Sequence, residues 1–466
     1  MTDTQALTGG SWRELLAPKN LGAATVLAGG VALYATNEFL TISLLPSAVA
    51  EIGGHRYYAW VMTVYLVASV AAATTVGAAV ARLGPRSAYL GALTVFGAGS
   101  VLCAVAPTME LLLVGRTVQG AAGGLLAGLG YAVINAALPR ALWTRASALV
   151  SAMWGVGTLL GPAAGGLFAQ FSTWRWAFGA LVILTMAMTV LVPLALPGRS
   201  DAGGATVIRV PVWSLLLLGA AALMVSVAGI PTGLPFTIAL LCAAVVLIVA
   251  FLAVDRRAAA RASVLPPTAF RPGPLKWVYL TLGLLMAATM VDMYVPLFGQ
   301  RLAHLAPLTA GFLGVALAVG WTAGEIVSAS VDRRGAVVRI VRAAPVVMTV
   351  GLAAGALLVR DGMSGGSALL WALSLVLTGT GIGMAWPHLS VWAMTGVDEP
   401  AEGPVAAAAI STVQLICGAF GAGIAGAIVN RAGADAAAAG WLFACFAGLA
   451  VVGVVAAWRA GGTNPR

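Results

Sequence analysis

Charge is what this sequence is short of. Asp, Glu, Lys and Arg together make up 9% of its 466 residues, where soluble domains carry about 25%. A chain so poor in charge cannot clothe a water-facing surface of its own size, and a soluble globular fold is excluded. Acids are scarcer than bases, 15 against 25, and histidine occurs three times. The four cysteines (Cys103, Cys242, Cys417, Cys445) are far apart in apolar stretches, with no CxxC or Cys/His grouping. Neither a disulfide framework nor a metal centre is implied; small packed or lipid-facing thiols are expected. There is no GxxxxGK[ST] phosphate loop, so nothing points to nucleotide hydrolysis. No cluster of nucleophile, base and metal ligands marks an enzyme. The basic residues form no run interleaved with aromatics, which argues against nucleic acid as a partner. The first twenty residues are mixed in charge and lack an apolar core with a cleavage site, so no removable signal peptide is expected.

What fills the sequence instead is apolar surface and glycine. Hydrophobic residues reach 61%, glycine numbers 58, and mean hydropathy is +0.98. A lipid-spanning helix needs about 20 apolar residues. Fourteen stretches qualify, from 21–46 to 437–458, and predict an all-α integral membrane protein in a lipid bilayer. The even count puts both termini on one side. With a cytoplasmic N-terminus, nineteen basic residues fall inside and five outside (Arg56, Arg175, Arg301, Arg360, Arg431), leaving Arg116 within an apolar span. That asymmetry follows the positive-inside pattern and predicts a multi-pass protein of the cytoplasmic membrane with both termini cytoplasmic. One inside loop, around Asp398, Glu399 and Glu402, is acidic and runs against it.

An internal repeat divides the chain. Gly77-Ala-Ala-Val-Ala-Arg82-Leu-Gly84-Pro-Arg86 follows the second span, and Ser328-Ala-Ser-Val-Asp332-Arg333-Arg334-Gly335 follows the tenth. The expected organisation is an N-terminal segment 1–20, a six-helix bundle 21–197, two extra helices with a linker 198–274, a second six-helix bundle 275–458, and a tail 459–466. Internal repeats of this kind are typical of secondary transporters.

Three acids lie where lipid should forbid them: Glu38, Asp292 and Glu325. A carboxylate at the centre of a membrane helix costs about 2.5–3.5 kcal/mol on insertion scales, so it is expected to face a protein interior or a wet cavity. Glu38 and Asp292 fall in the opening helices of the two bundles, at comparable depth. Arg116 carries a charge it cannot shed and needs a partner. One reading makes it a structural ion pair; the other has it modulate a titrating acid, with Glu38 as first candidate. Tyr34, Asn37, Gln119, Trp154, Trp321, Trp386, His388 and Gln414 are the candidate cavity residues, the aromatics suited to flat or cationic compounds. Tyr65 and Trp392 extend that set. Each aromatic has an alternative as packing or as an interface anchor, and His388, beside Pro387, as a hydrogen-bonded packing histidine.

These motifs resemble the major facilitator superfamily. Gly77, Arg82, Gly84 and Arg86 match its loop between helices 2 and 3, and Ala81 stands where the family has an acid that latches the two halves. Asp332, Arg333 and Gly335 repeat the pattern. Arg116-Thr-Val-Gln119-Gly120 is similar to the family's R-x-x-Q-G, and Gly157-x-x-x-Gly161-Pro162-x-x-Gly165-Gly166 to its antiporter signature. Four-residue glycine spacing lets helices approach closely, and Pro162 removes a backbone bond and bends its helix. With fourteen helices, the resemblance implies the drug–proton antiporter branch: two six-helix bundles plus two intercalated helices, acting as a monomer without cofactor. The expectation is export of a small drug-like, lipophilic and cationic substrate in exchange for protons, driven by the proton gradient. Export of an endogenous metabolite, lipid or siderophore is the alternative, and a transport-inactive ligand sensor the alternative of another class.

Overall fold

The structure is a computed structural model that describes residues 11–196, 210–230, 233–258, 263–331, 333–399 and 402–461. Asp332 of the second loop motif lies outside the described residues, as do Arg199, Arg209, Arg261 and Arg466. Every regular element among the described residues is helical. A short α1 (Trp12–Leu15) leads into α2 (Pro18–Ile52), α3 (Trp60–Ala73), α4 (Val76–Leu83) and α5 (Pro85–Ala104). Then come α6 (Met109–Ala132), the single turn α7 (Ile134–Ala137), α8 (Trp143–Phe171) and α9 (Trp174–Ala195). Two further helices, α10 (Val212–Ala228) and α11 (Leu234–Arg257), precede the second half. That half comprises α12 (Leu275–Ala288), α13 (Val295–Leu302), α14 (Pro307–Ala329), α15 (Arg334–Leu358), α16 (Gly365–Thr395), α17 (Gly403–Val429) and α18 (Asp435–Ala460).

Fourteen spans were expected; the helices support fewer by length and apolarity. Among the described residues eleven are long and apolar enough to cross a membrane, or twelve if the bent pair α3–α4 is one span. The helix α10 has only 17 residues. Although α2 has 35 residues, Asn37 and Glu38 interrupt its apolar run.

Two expected straight spans are broken, each for a local reason. The α3–α4 pair bends by 50° at Thr74 and Thr75, whose hydroxyls donate to the Ala71 and Ala72 carbonyls at 2.8 and 2.7 Å. Such back-bonding competes with the helix ladder and bends it. Between α12 and α13 the chain tightens into a 3-10 segment, Thr289–Tyr294. Pro296 follows at the start of α13, and having no N–H it cannot donate to the carbonyl four residues back, that of Asp292. Asp292 therefore sits in a break, not in a regular helix.

In the first half α2 packs on α6, α8 and α9, while α3 and α5 flank α6. In the second, α14 and α15 pack on α16, and α12 on α17 and α18. The halves meet through α14 against α2 and α8, and through α17 against α3. Those contacts gather at the end of the molecule where α2 finishes, the distal end; the end where α2 starts is the proximal end. There Gly166 abuts Leu308, and Gly311 abuts Ser43 and the Pro162 carbonyl. Tyr58 stacks on Tyr294 at 4.8 Å and donates to the Met293 carbonyl at 3.2 Å. Asn430 donates to the Arg56 carbonyl at 2.9 Å.

The acidic loop finds its reason at the proximal end. Glu402 accepts from the Thr268 amide at 3.0 Å, and Asp398 accepts from Arg271 at 2.8 Å. The hydrogen bond from Arg271 to Asp398, and the charge behind it, hold the guanidinium pKa above its ordinary value. Two of the loop's three acids thus hold the linker that enters α12. Asp255, at the end of α11, holds the same linker by accepting from the Val264 and Leu265 amides at 2.8 and 2.9 Å.

Close backbone approach sets the helix spacing in the second half. A Cβ on Gly379 of α16 would collide with the Leu317 carbonyl of α14, so Gly379→Ala must push two backbones apart. The expected cost is about 1–3 kcal/mol, the range for overpacking a fitted interior. It is read as a lower thermal midpoint in detergent, and an unchanged midpoint would show that α14 and α16 can yield.

Candidate functional site

The first half is built around one buried cation. Arg116 on α6 is fully buried, and its partners are neutral. Its Nη1 donates to Asn37 Oδ1 at 3.1 Å and to Gln119 Oε1 at 2.9 Å, and its Nε to the Val61 carbonyl at 3.5 Å. The guanidinium also lies 4.0 Å from the centre of the Tyr65 ring, a cation–π contact that gains from desolvation. No Arg116–Glu38 ion pair forms among the described residues. The expected counter-ion is displaced by its neighbour: successive helix positions are about 100° apart, so Asn37 faces α6 while Glu38 turns away.

Gln119, expected on a cavity wall, is buried between α5 and α6 instead. Its carbonyl accepts from Arg116, and its amide donates to Ser100 Oγ at 2.9 Å. Tyr34 stacks on Tyr65 at 5.6 Å and meets Trp154 edge-on at 5.4 Å. Among the described residues its hydroxyl has no hydrogen-bond partner, nor does the Asn37 amide nitrogen.

Glu38 is buried, and one of its carboxylate oxygens, Oε2, has no hydrogen-bond partner among the described residues. The same is true of Asp292 Oδ1. Asp292 lies at the seam between the halves, and Phe39, next to Glu38 on α2, lines the same cleft. Phe39, Ser43, Pro162, Asp292, Pro296 and Gly311 line a small cleft there. Unpaired carboxylate oxygens in an apolar seam leave a place for a proton or a cation, since a buried polar atom without a partner costs about 1–3 kcal/mol.

A second group of candidates gathers in the other half. Trp321 and Trp386 lie 5.4 Å apart, and the Trp321 indole donates to Glu325 Oε2 at 3.2 Å. His388 Nε2 is 2.8 Å from Ser328 Oγ, whose hydroxyl donates to the Met384 carbonyl at 2.6 Å. Gln414 is half-buried on α17, apart from this group.

The conformational motifs divide by location. Gly157, Gly161 and Gly165 lie against the α2 backbone from Ala35 to Ser43, whereas Gly166 faces Leu308 across the seam. Pro162 sits between them inside α8. Gly84 ends α4 at φ +79°, a conformation that needs glycine; Gly77 and Arg82 are exposed and Arg86 is half-buried. Arg333 caps α15 and Gly335 lies in its first turn. Ser100, Val61 and Tyr65 complete the Arg116 cage. Sequence reading could find Gln119 three residues on, sharing a face, but nothing in the sequence ties Ser100 or the Val61 carbonyl to it.

Two helical halves joined at one end, with titratable groups at the seam, define the architecture of a secondary transporter. Residues 27–426 match the Major Facilitator Superfamily, and the chain belongs to that family. It is 60% identical to a probable multidrug-efflux transporter of Mycobacterium tuberculosis strain H37Rv, over 99% of this chain and 98% of that one. A second M. tuberculosis protein, an uncharacterized MFS-type transporter, is 27% identical over 87% of this chain and 58% of its own. Among solved structures, the nucleoside transporter NupG matches with a TM-score of 0.66 at 14% identity, covering 96% of this chain and 100% of that one. The inward-open xylose transporter XylE from E. coli matches at 0.64 and 13%, covering 94% and 95%. At such identities the structures establish the fold alone.

Removing the Asn37 acceptor tests the cage. Asn37→Ala should destabilise the protein by about 1.5–3 kcal/mol, the worth of a hydrogen bond to a charged group. Asn37→Asp, which keeps the acceptor, should not. Thermal unfolding in detergent distinguishes them, and equal midpoints for Asn37→Ala and the parent chain would mean that Gln119, Val61 and Tyr65 suffice.

Proposed function

We propose that this protein is a multidrug-efflux transporter of the cytoplasmic membrane that exchanges external protons for lipophilic, cationic compounds by alternating access. The observation that carries the export reading is the 60% identity, over nearly the full length, to a probable multidrug-efflux transporter. The coupling reading is supported by Glu38, an acid with a buried carboxylate oxygen that has no partner among the described residues, while Arg116 is satisfied elsewhere.

The mechanism needs one site that a proton and a cationic substrate cannot both hold. Glu38 and Asp292 provide it: neutralising one carboxylate relieves the other, whichever positive species arrives. With both termini cytoplasmic, the distal seam is the outer gate. Tyr58, Tyr294, Gly166 and Gly311 hold that seam together, the contacts that an inward-facing state of such a cycle needs. Opening outward separates α14 from α2 and α8 and exposes the acids to external protons. The proton gradient is the energy source. One charge moved across 100 mV is worth about 2.3 kcal/mol, so a single coupled proton supports useful accumulation.

Inverted vesicles with an imposed pH gradient and a cationic dye give the test. Glu38→Gln should abolish gradient-driven uptake while leaving membrane abundance intact; undiminished uptake would overturn the coupling role. Arg116→Ala should impair uptake more than Arg116→Lys, and full activity in both would remove Arg116 from the mechanism.

A further inference from the structure

At the proximal end of the second half, three cations gather on two indole rings. Arg342 of α15 stacks over Trp458 at 4.5 Å. Beside it, Arg459 of α18 lies over Trp277 at 4.7 Å, and Lys276 of α12 approaches the same ring at 5.9 Å. Helix α18 packs between α15 and α12, and Trp458 and Arg459, adjacent on α18, join the two ring contacts at its proximal end. No carboxylate pairs with any of the three among the described residues. Two of the three acids of the adjoining loop are committed, Asp398 to Arg271 and Glu402 to the Thr268 amide, and the third, Glu399, is exposed.

The detail that points to a ligand is Arg342. Its Nη2 donates to the Gly461 carbonyl at 3.3 Å, yet its Nε is buried with no acceptor among the described residues. Two cations sharing one ring repel each other, and a third nearby with an open donor adds to the deficit. An anion bridging them would supply what the protein leaves out. Trp458 is 56% exposed, and Arg459 and Lys276 are exposed beside it, so that anion comes from outside the helix packing. Tryptophan rings stationed where apolar helices end mark the headgroup level of a bilayer, and basic pockets between helix ends at that level bind anionic headgroups.

We propose that the groove formed by Lys276, Trp277, Arg342, Trp458 and Arg459 binds the phosphate of an anionic phospholipid whose acyl chains lie along α12, α15 and α18. The planar guanidinium of Arg342 offers the fork that phosphate oxygens match, and Lys276 and Arg459 close over it. This site is apart from the seam acids and does not depend on the transport reading.

Titration of the purified full chain with phosphatidylglycerol in neutral detergent, followed by native mass spectrometry, tests it. The parent chain should bind one phosphatidylglycerol in preference to phosphatidylcholine. Arg342→Gln with Arg459→Gln should weaken that binding about thirty-fold, the size expected for two interfacial cations. Arg56→Gln with Arg360→Gln, an equal charge change at the distal end, should leave it unchanged. Equal loss in both pairs, or none in the first, overturns the proposal. Displacement by inorganic phosphate would also overturn it, by making the ligand a free anion and not a lipid. Should the first pair fail to elute as folded protein, Lys276→Gln with Arg459→Gln, both exposed, carries the same expectation and the same refutation.

Discussion

A guanidinium that cannot lose its proton, placed where no water reaches, is the constraint on which the first half depends. Burying an unpaired charge in a low-dielectric interior is prohibitive. The protein meets the demand with neutral acceptors from three helices: Asn37 on α2, Val61 on α3 and Gln119 on α6 itself. The Tyr65 face supplies the remainder. Each acceptor fixes the distance and rotation of its helix relative to α6. Because none is ionised, the positive charge is solvated but not cancelled. An ion pair would have tied Glu38 to α6; a cage of amides and carbonyls leaves that acid out of the cage.

The seam divides contacts that hold the fold from contacts that must part for transport of the proposed kind. Gly157, Gly161 and Gly165 press α8 onto α2 within one half, and nothing in an alternating cycle requires that pair to separate. Gly166, one residue further, touches the other half at Leu308. A single glycine-lined helix thus carries both the permanent packing and the gate. The break at Asp292 serves the same seam. Because Pro296 has no N–H to offer the Asp292 carbonyl, that carbonyl accepts from the Val295 amide in the 3-10 segment instead, and the regular helix is interrupted where the halves meet.

Much of this was legible in the sequence, and what was not has identifiable physical causes. Arg116, the three acids and the glycine row stand out because lipid penalises or rewards those residue types wherever the fold puts them. The choice between Asn37 and Glu38 as partner for Arg116 does not stand out. It depends on helix rotation, and adjacent residues differ only in which way that rotation points them. Gln119 was legible as a neighbour of Arg116 on one helical face, but whether that face meets a cavity or α5 is set by tertiary packing. The bend at Thr74–Thr75 is a back-bonding choice that threonine can decline elsewhere. Apolar length counted fourteen spans, and the count weakens where function places polar residues, as in α2.

The positive-inside pattern and its exception reduce to one bookkeeping of charge at the proximal end. Two of the loop's three acids are tied to the linker: Glu402 holds the Thr268 amide and Asp398 holds Arg271. Had the acids of that loop been free, they would have neutralised the basic residues on α12, α15 and α18. Committed as they are, Arg342, Arg459 and Lys276 keep their charge and rest on indole rings instead. The acidic loop is therefore no breach of the pattern. By spending two of its carboxylates on the chain that enters the second half, it leaves that half's cationic rim open to the membrane.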